Sequence, residues 1–144
     1  MNRPAHARDT LVLLAPGFVD PAFPGERFYC WHCALLEGVL ASFPALASTL
    51  NVERVPWPRP RASVVARVGE VNQSLPLLLL ADGTSTVEAT GSHEGQFFVA
   101  GKDEILQALH VRGQRALRRQ HPVDPGAPRP LGGQRPRRGR FRTG

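Results

Sequence analysis

Three short segments with strand periodicity limit this chain to an α/β fold. Thr10 to Leu14 (TLVLL) is predicted to be a short buried strand that ends before a Pro-Gly turn. Asn51 to Val55 (NVERV) alternates between apolar and polar residues as a half-buried strand does, and Leu77 to Ala81 (LLLLA) is a continuous apolar run suited to a central strand. We expect helices in the intervals between these strands.

Helical periodicity is found in three segments, one in each of the two intervals and one after the third strand. A helix that begins at the two cysteines of FYCWHC and ends at Pro44 is predicted, because Pro stops or kinks a helix. Five apolar side chains of this helix fall on one face: Leu35, Leu36, Val39, Leu40 and Phe43. A short helix follows the segment PWPRPR, and a closing helix covers Lys102 to His110 with Gly113 as its stop.

The second half of the chain carries a hairpin signal at Asp82-Gly83. Either Thr84 to Ala89 or Phe97 to Val99 is expected to pair back against the third strand, with residues 91–96 as a polar loop. The order is therefore strand, helix, strand, helix, strand, strand, helix. It predicts a mixed four-stranded sheet with helices on both faces, because the first half requires a parallel crossover.

Charge divides the 144 residues into two parts. Residues 1–110 have eight basic and eleven acidic side chains, whereas residues 111–144 have ten arginines and one acid. We predict a folded domain over 9–112 and a disordered tail rich in Arg, Pro and Gly over 113–144, because the tail has too few apolar side chains to offset the entropy of ordering it. A solvated tail is favoured over a nucleic-acid site, since no base-reading or stacking element accompanies it.

The apolar runs are short for membrane or export segments. Leu11 to Ala15 is shorter than the apolar part of a signal peptide, and Leu75 to Ala81 is too short to span a bilayer. We therefore expect a soluble, cytoplasmic protein without a membrane partner. In that reducing compartment a permanent structural disulfide is not expected. Two cysteines spaced closely enough to form a disulfide are instead expected to cycle between redox states or to bind a metal.

Cys30 and Cys33, the two cysteines of the chain, have the spacing of a redox pair. Thiol–disulfide exchange needs one exposed, ionised sulfur and a second sulfur that resolves the mixed disulfide. At the start of a helix, Cys30 would lie beside unpaired backbone N–H groups and the positive end of the helix dipole, which favour its thiolate. Cys33, one turn further along, is expected to be more buried and less ionised.

The neighbours of the cysteines allow more than one interpretation. His32, when protonated, would stabilise the Cys30 thiolate and make the disulfide more oxidising, or it only faces solvent. Tyr29 and Trp31 would contact a bound partner or cover the Pro-rich loop of residues 16–24, and packing is the favoured interpretation.

The motifs CWHC (residues 30–33) and LPLLLLADG together resemble the redox pair and the cis-proline strand and turn of thioredoxins, over roughly residues 9–112. More narrowly, GFVDPAFPGERFYCWHC, VPWPRPR and NQSLPLLLLADG resemble a small bacterial thioredoxin-like family known only as a domain of unknown function. The resemblance implies a nucleophilic Cys30, a resolving Cys33 and a cis Pro76, with the backbone of Leu75 binding an extended substrate. It also makes His32 similar to the histidine of the oxidising branches of the superfamily.

This sequence also differs from thioredoxins in two ways. The loop from Ala15 to Tyr29 is much longer than their tight turn between strand and cysteine, and TLVLL contains no acidic residue where they keep a buried carboxylate. Both differences separate the chain from ordinary disulfide reductases.

Taken together, these features predict a thiol–disulfide oxidoreductase that acts on a protein or a low-molecular-weight thiol or disulfide and needs no cofactor. The alternative is a non-catalytic binding module of thioredoxin fold whose CxxC is redox-sensitive or structural. A zinc site is a third interpretation, which the absence of a second CxxC disfavours. The oligomeric state, the direction of the reaction and the substrate stay open.

Overall fold

The computed structural model describes residues 6–120, and the side chains of residues 6–114. Over that range the chain forms five strands, four α-helices and one 3-10 turn at Glu70–Asn72. In chain order, the elements are β1 Thr10–Leu14, α1 Trp31–Ser42, α2 Pro44–Ala47, β2 Asn51–Val55, α3 Ala62–Val68, β3 Leu77–Leu79, β4 Gly91–His93, β5 Gln96–Ala100 and α4 Lys102–Gln120. None of the helices in this range is long and apolar enough to cross a membrane.

The strands form one mixed sheet in the order β2-β1-β3-β5-β4. β1 and β2 are parallel, with Leu14 opposite Val55, while β3 runs antiparallel to both β1 and β5. The carboxyl ends of β1, β2 and β5 therefore lie at the same end of the sheet as the amino end of β3. The segments that follow β1 and β2 and the segment that precedes β3 must meet there, and this end of the sheet carries the cysteines.

Helices cover both faces of the sheet, as the sequence predicts, because successive side chains of a strand point to opposite faces. Leu11 and Leu13 of β1 belong to the cluster that also contains buried side chains of α1, α2 and α4. Val12 belongs to the second cluster, in which Val64 and Val68 of α3 are buried. Each buried Val or Leu side chain contributes about 1.5–3 kcal/mol to these two clusters.

The prediction of four strands is wrong, because β4 adds a fifth at the edge of the sheet. Residues 91–96, predicted to be a polar loop, form a tight hairpin in which His93 pairs with Gln96 across Glu94 and Gly95. Both turn residues have positive φ, 46° and 81°, which is the conformation of a two-residue hairpin that follows the twist of the strands. The hairpin signal at Asp82-Gly83 is not used, and the Phe97 to Val99 alternative for the strand beside β3 is confirmed.

The predicted stop of the closing helix at Gly113 is also wrong, since α4 continues to Gln120. A single Gly inside a helix costs only about 1 kcal/mol relative to Ala. The residues that follow it (QRALRRQ) are all good helix formers, which outweigh that cost. Residues 113–120 of the predicted disordered tail are thus helical, and its remainder, 121–144, lies outside the described residues.

A buried ion pair holds α4 against the start of β1. The Arg112 guanidinium donates to Asp9, whose other carboxylate oxygen accepts the backbone N–H of Ala81 at 2.7 Å. Both charged side chains are about nine-tenths buried, with 11% and 8% of their surface exposed. In contrast, the ion pair between Arg54 and Glu37 is largely exposed.

We predict that Arg112→Met lowers the free energy of unfolding by about 3 kcal/mol, because it leaves the Asp9 carboxylate buried without its counter-charge. The matched control, Arg54→Met, removes an exposed pair and should cost less than about 1 kcal/mol. Urea unfolding followed by circular dichroism measures both values. Equal losses in the two variants would contradict a stabilising role for the Asp9–Arg112 pair.

Candidate dithiol site

The sulfur of Cys30 occupies the N-cap of α1. Cys30 itself has extended backbone angles, and its Sγ accepts the N–H of Cys33 at 3.2 Å. Ser, Thr or Asp oxygens usually fill this position, where they satisfy one of the unpaired N–H groups of the first turn. No acidic side chain lies in the first turn of α1 to oppose negative charge on this sulfur. The sulfur therefore lies at the positive end of the helix dipole, beside the backbone N–H groups of the first turn.

Cys33 lies in a different environment one turn into the helix. It is 3% exposed, within the cluster formed by α1, α2, α4 and one face of the sheet. The backbone N–H of Leu14, the last residue of β1, points to its Sγ at 3.4 Å. Burial, followed by the interaction with the Cys30 sulfur, raises the pKa of Cys33 to about 12. Cys33 is therefore a thiol at neutral pH.

The two cysteines thus form an asymmetric pair, as expected from their spacing. Both are free thiols, and Cys30 is only partly buried while Cys33 is enclosed. The first sulfur is thus partly accessible to solvent, whereas the second is enclosed by the protein.

The aromatic neighbours of the pair face outward. Tyr29 and Trp31 are 66% and 63% exposed, so the interpretation that they pack over the Pro-rich loop is wrong. The ring of Trp31 contacts the ring of His32, with centroids 3.9 Å apart, and the Lys102 Nζ lies 5.9 Å from the Trp31 ring centre. His32 is half-buried. These side chains form the exposed rim beside Cys30.

Leu75 and Pro76 come to the same end of the sheet. The peptide bond between them is cis, and Pro76 is buried. Leu77, the next residue, pairs with Val12 of β1, two positions before the Leu14 that contacts Cys33. Leu75, Leu14 and Cys30 all pack, partly buried, against the same cluster. The structure therefore brings together the residues that the sequence singled out.

Aromatic contacts join the long loop before Cys30 to the segment after β2. Phe18 and Phe28 form a β-bridge that closes the loop on itself. The ring of Phe18 stacks on that of Trp57 at 5.4 Å, with the two planes 5° apart. The loop is consequently held over the PWPRPR segment and lies beside the cysteines.

Sequence reasoning missed Arg61, the last residue of that segment. It is 8% exposed, and its guanidinium donates to the backbone oxygens of Gln73 at 2.6 Å and Trp57 at 2.7 Å. Its backbone N–H donates to the Gln73 side chain at 2.7 Å. The Pro-rich PWPRPR is predicted only to be extended, and the one sequence signal for Arg61 was the position of this segment directly after β2, which pairs with the strand that leads to the cysteines.

Away from the cysteines, the described residues form an apolar cavity but no metal site. Within residues 6–120, no three His, Cys, Asp or Glu side chains come together in a way that could hold a metal ion. An apolar cavity of about 420 Å³ lies between α1, α2 and α4, lined by side chains that include Phe43, Leu106 and His110. Its lining does not include either cysteine.

The asymmetry predicts selective alkylation. With a pKa of about 12, Cys33 at pH 8 is four pH units below its midpoint, so only about one molecule in ten thousand carries the Cys33 thiolate. We expect a brief pulse of iodoacetamide to label Cys30 alone, as identified by peptide mass spectrometry. Unfolding in urea before the pulse is the control and should label both cysteines. Labelling of Cys33 ahead of Cys30 in the folded protein would contradict the assignment.

Comparisons with known proteins give a family but no activity. No curated protein and no solved structure matches this chain. A family model described as a protein of unknown function, DUF3088, matches residues 8–116, a range that contains the sheet, both cysteines and most of α4. The resemblance to an uncharacterised domain family is thereby confirmed, and the chain belongs to the DUF3088 family.

Proposed function

We propose that this protein is a dithiol–disulfide oxidoreductase of thioredoxin-like fold that acts through Cys30 and Cys33. The observation that carries the proposal is the N–H of Cys33 directed at the Cys30 Sγ at 3.2 Å, at the start of α1. The contact sets a partly exposed sulfur at the N-terminus of α1, one helical turn from a buried thiol, and thiol–disulfide exchange uses such a pair.

The topology supports the proposed relationship to thioredoxins. The strand order is β2-β1-β3-β5, and β1–β2 is the parallel pair among these neighbouring strands. This order agrees with the arrangement that the CWHC and LPLLLLADG motifs imply. The cis Leu75–Pro76 bond at the same end of the sheet also agrees with it. β4 is an addition at the edge, on the side away from β1 and the cysteines that follow it.

The reaction proceeds in two exchange steps. The Cys30 thiolate attacks one sulfur of a substrate disulfide, forms a mixed disulfide with it, and releases the other substrate sulfur as a thiolate that takes up a proton. The Cys33 sulfur then attacks Cys30, loses its proton to the departing substrate sulfur, and closes the Cys30–Cys33 disulfide. The substrate gains two electrons and the protein loses two. The reverse sequence oxidises a substrate dithiol.

The first step prepares Cys33 for the second. Two of the causes that raise the pKa of Cys33 are its hydrogen bond to the Cys30 sulfur and the negative charge of that sulfur. Both disappear when Cys30 enters a mixed disulfide, while the Leu14 N–H, which lowers the pKa of Cys33, stays in place. Cys33 therefore becomes more acidic at the stage where it must attack.

The surroundings suggest how a substrate is held. Tyr29 and Trp31 offer exposed aromatic surface beside Cys30, and the Leu75 backbone would hydrogen-bond an extended chain, as in the thioredoxin resemblance. His32, when protonated, would add positive charge near the Cys30 sulfur and favour the dithiol form. Partners are a protein or a small thiol or disulfide, and we propose the cytoplasm as the compartment.

The proposal predicts a trapped intermediate. In Cys33→Ser, a mixed disulfide on Cys30 cannot be resolved, so substrate proteins from a bacterial lysate should stay linked to it until reductant is added. Non-reducing gels followed by mass spectrometry measure the linked species. The matched control, Cys30→Ser, keeps only the sulfur of Cys33, which is buried. This variant should trap at least tenfold less substrate protein.

Two outcomes would contradict the proposal. Equal trapping by Cys30→Ser and Cys33→Ser would show that Cys30 is not the specific attacking cysteine. If Cys33→Ser traps neither a protein nor oxidised glutathione, the chain is instead the non-catalytic binding module, and the pair does not turn over.

A further inference from the structure

Arg61 is a buried cation that forms no ion pair with a carboxylate among the side chains that the structure describes. Its two terminal nitrogens donate to neutral backbone oxygens of Trp57 and Gln73, and its Nε is fully buried and has no hydrogen-bond partner among residues 6–114. The ion pairs of that range join other side chains. An unpaired buried charge is strongly unfavourable, so a counter-charge is expected close by.

The topology places Arg61 at the end of the sheet that carries the cysteines. β2 ends at Val55, opposite Leu14, and the N–H of Leu14 points to the Cys33 sulfur. Gln73, to which Arg61 is bound twice, lies two residues before Leu75, which packs against the same cluster as Cys30. Arg61 is therefore buried at the same end of the sheet as the dithiol.

The electrostatics agree with this position. Burial, and after it the like charge of Arg59, holds the pKa of Arg61 below its ordinary value. The ionised forms of Cys33 and Cys30 act in the opposite direction and favour the charged guanidinium. Both cysteines therefore lie close enough to Arg61 for a charge on either sulfur to interact with its guanidinium.

We propose that Arg61 is a positioning residue whose buried guanidinium serves as the counter-charge of the Cys30 thiolate. The role deepens the proposed redox function and rests on it. Arg61 does not touch the substrate; it keeps the attacking sulfur ionised from the protein interior, while the α1 N–H groups do so from the helix side. A negative charge on Cys30 would offset the charge of Arg61, and this charge is lost when Cys30 enters a disulfide, so Arg61 favours the dithiol over the disulfide.

The other ionisable groups around the pair must be held constant in any test. His32 flanks Cys30 on α1, and Tyr29 precedes it in the loop. Glu37, also on α1, adds negative charge that acts on Cys33. Arg59 lies in the same segment as Arg61, but its side chain is exposed.

The test is the pH profile of Cys30 alkylation by iodoacetamide, with the label located by mass spectrometry. Arg61→Gln keeps polar donors but removes the charge, and should move the midpoint of the profile upward by about one pH unit, which lowers alkylation about tenfold at pH values well below both midpoints. Arg61→Lys keeps the charge and should recover at least half of that shift. Arg59→Gln removes an exposed, solvent-screened charge from the same segment and should move the midpoint much less.

A purely structural role for Arg61 predicts a different pattern. Gln73→Ala removes the acceptor of the Arg61 backbone N–H and leaves the guanidinium charge in place. We expect it to lower the melting temperature without moving the alkylation midpoint. If Arg61→Gln and Gln73→Ala give the same midpoint, or if Arg61→Lys behaves as Arg61→Gln, the counter-charge is refuted.

The failures of the two proposals are distinguishable. An unchanged midpoint in Arg61→Gln, together with a mixed disulfide trapped by Cys33→Ser, overturns the role of Arg61 and leaves the redox function standing. A shifted midpoint without any trapped species supports the electrostatic pair but overturns the redox function on which its use depends. Should Arg61→Gln fail to fold, Arg61→Lys and Arg61→Met are compared in its place by the same midpoint.

Discussion

The contact between the Cys33 N–H and the Cys30 sulfur is the interaction on which the rest of the site depends. It lets a sulfur replace the oxygen that normally caps a helix, so the bond that starts α1 also holds the Cys30 sulfur at the positive end of the helix dipole. Burial raises the pKa of Cys33 to about 12. One helical turn thus separates a partly exposed sulfur from a buried thiol.

The topology of the sheet places the other residues of the site at the same end as this helical turn. Because β1 and β2 are parallel and β3 is antiparallel to them, Leu14, Arg61 and Pro76 arrive at one end from three separate segments. The long loop before Cys30 is joined to the segment after β2 by the stacked rings of Phe18 and Trp57. The enlarged loop therefore becomes part of the surface around the dithiol without interrupting the sheet.

Local signals explain which features could be predicted from the sequence. β1 and β2 have the predicted bounds because their apolar residues and flanking turns are contiguous in the chain, and α1 begins at the cysteines as expected. β4 was missed because its three residues, Gly91 to His93, have no apolar run and form a strand only by pairing with β5. Arg61 was missed for the same reason, since its burial depends on carbonyls of Trp57 and Gln73 that no local pattern reveals.

The most direct test of the account is redox titration of the purified protein in glutathione buffers of graded ratio, with acid quenching and intact mass measurement. The account predicts one reversible two-electron transition to a Cys30–Cys33 disulfide, with the glutathione adduct on Cys30 present only transiently because Cys33 displaces it. A stable adduct on Cys30 that Cys33 does not displace, or a pair that stays reduced across the whole range, would contradict the claim that the two sulfurs act as one redox centre.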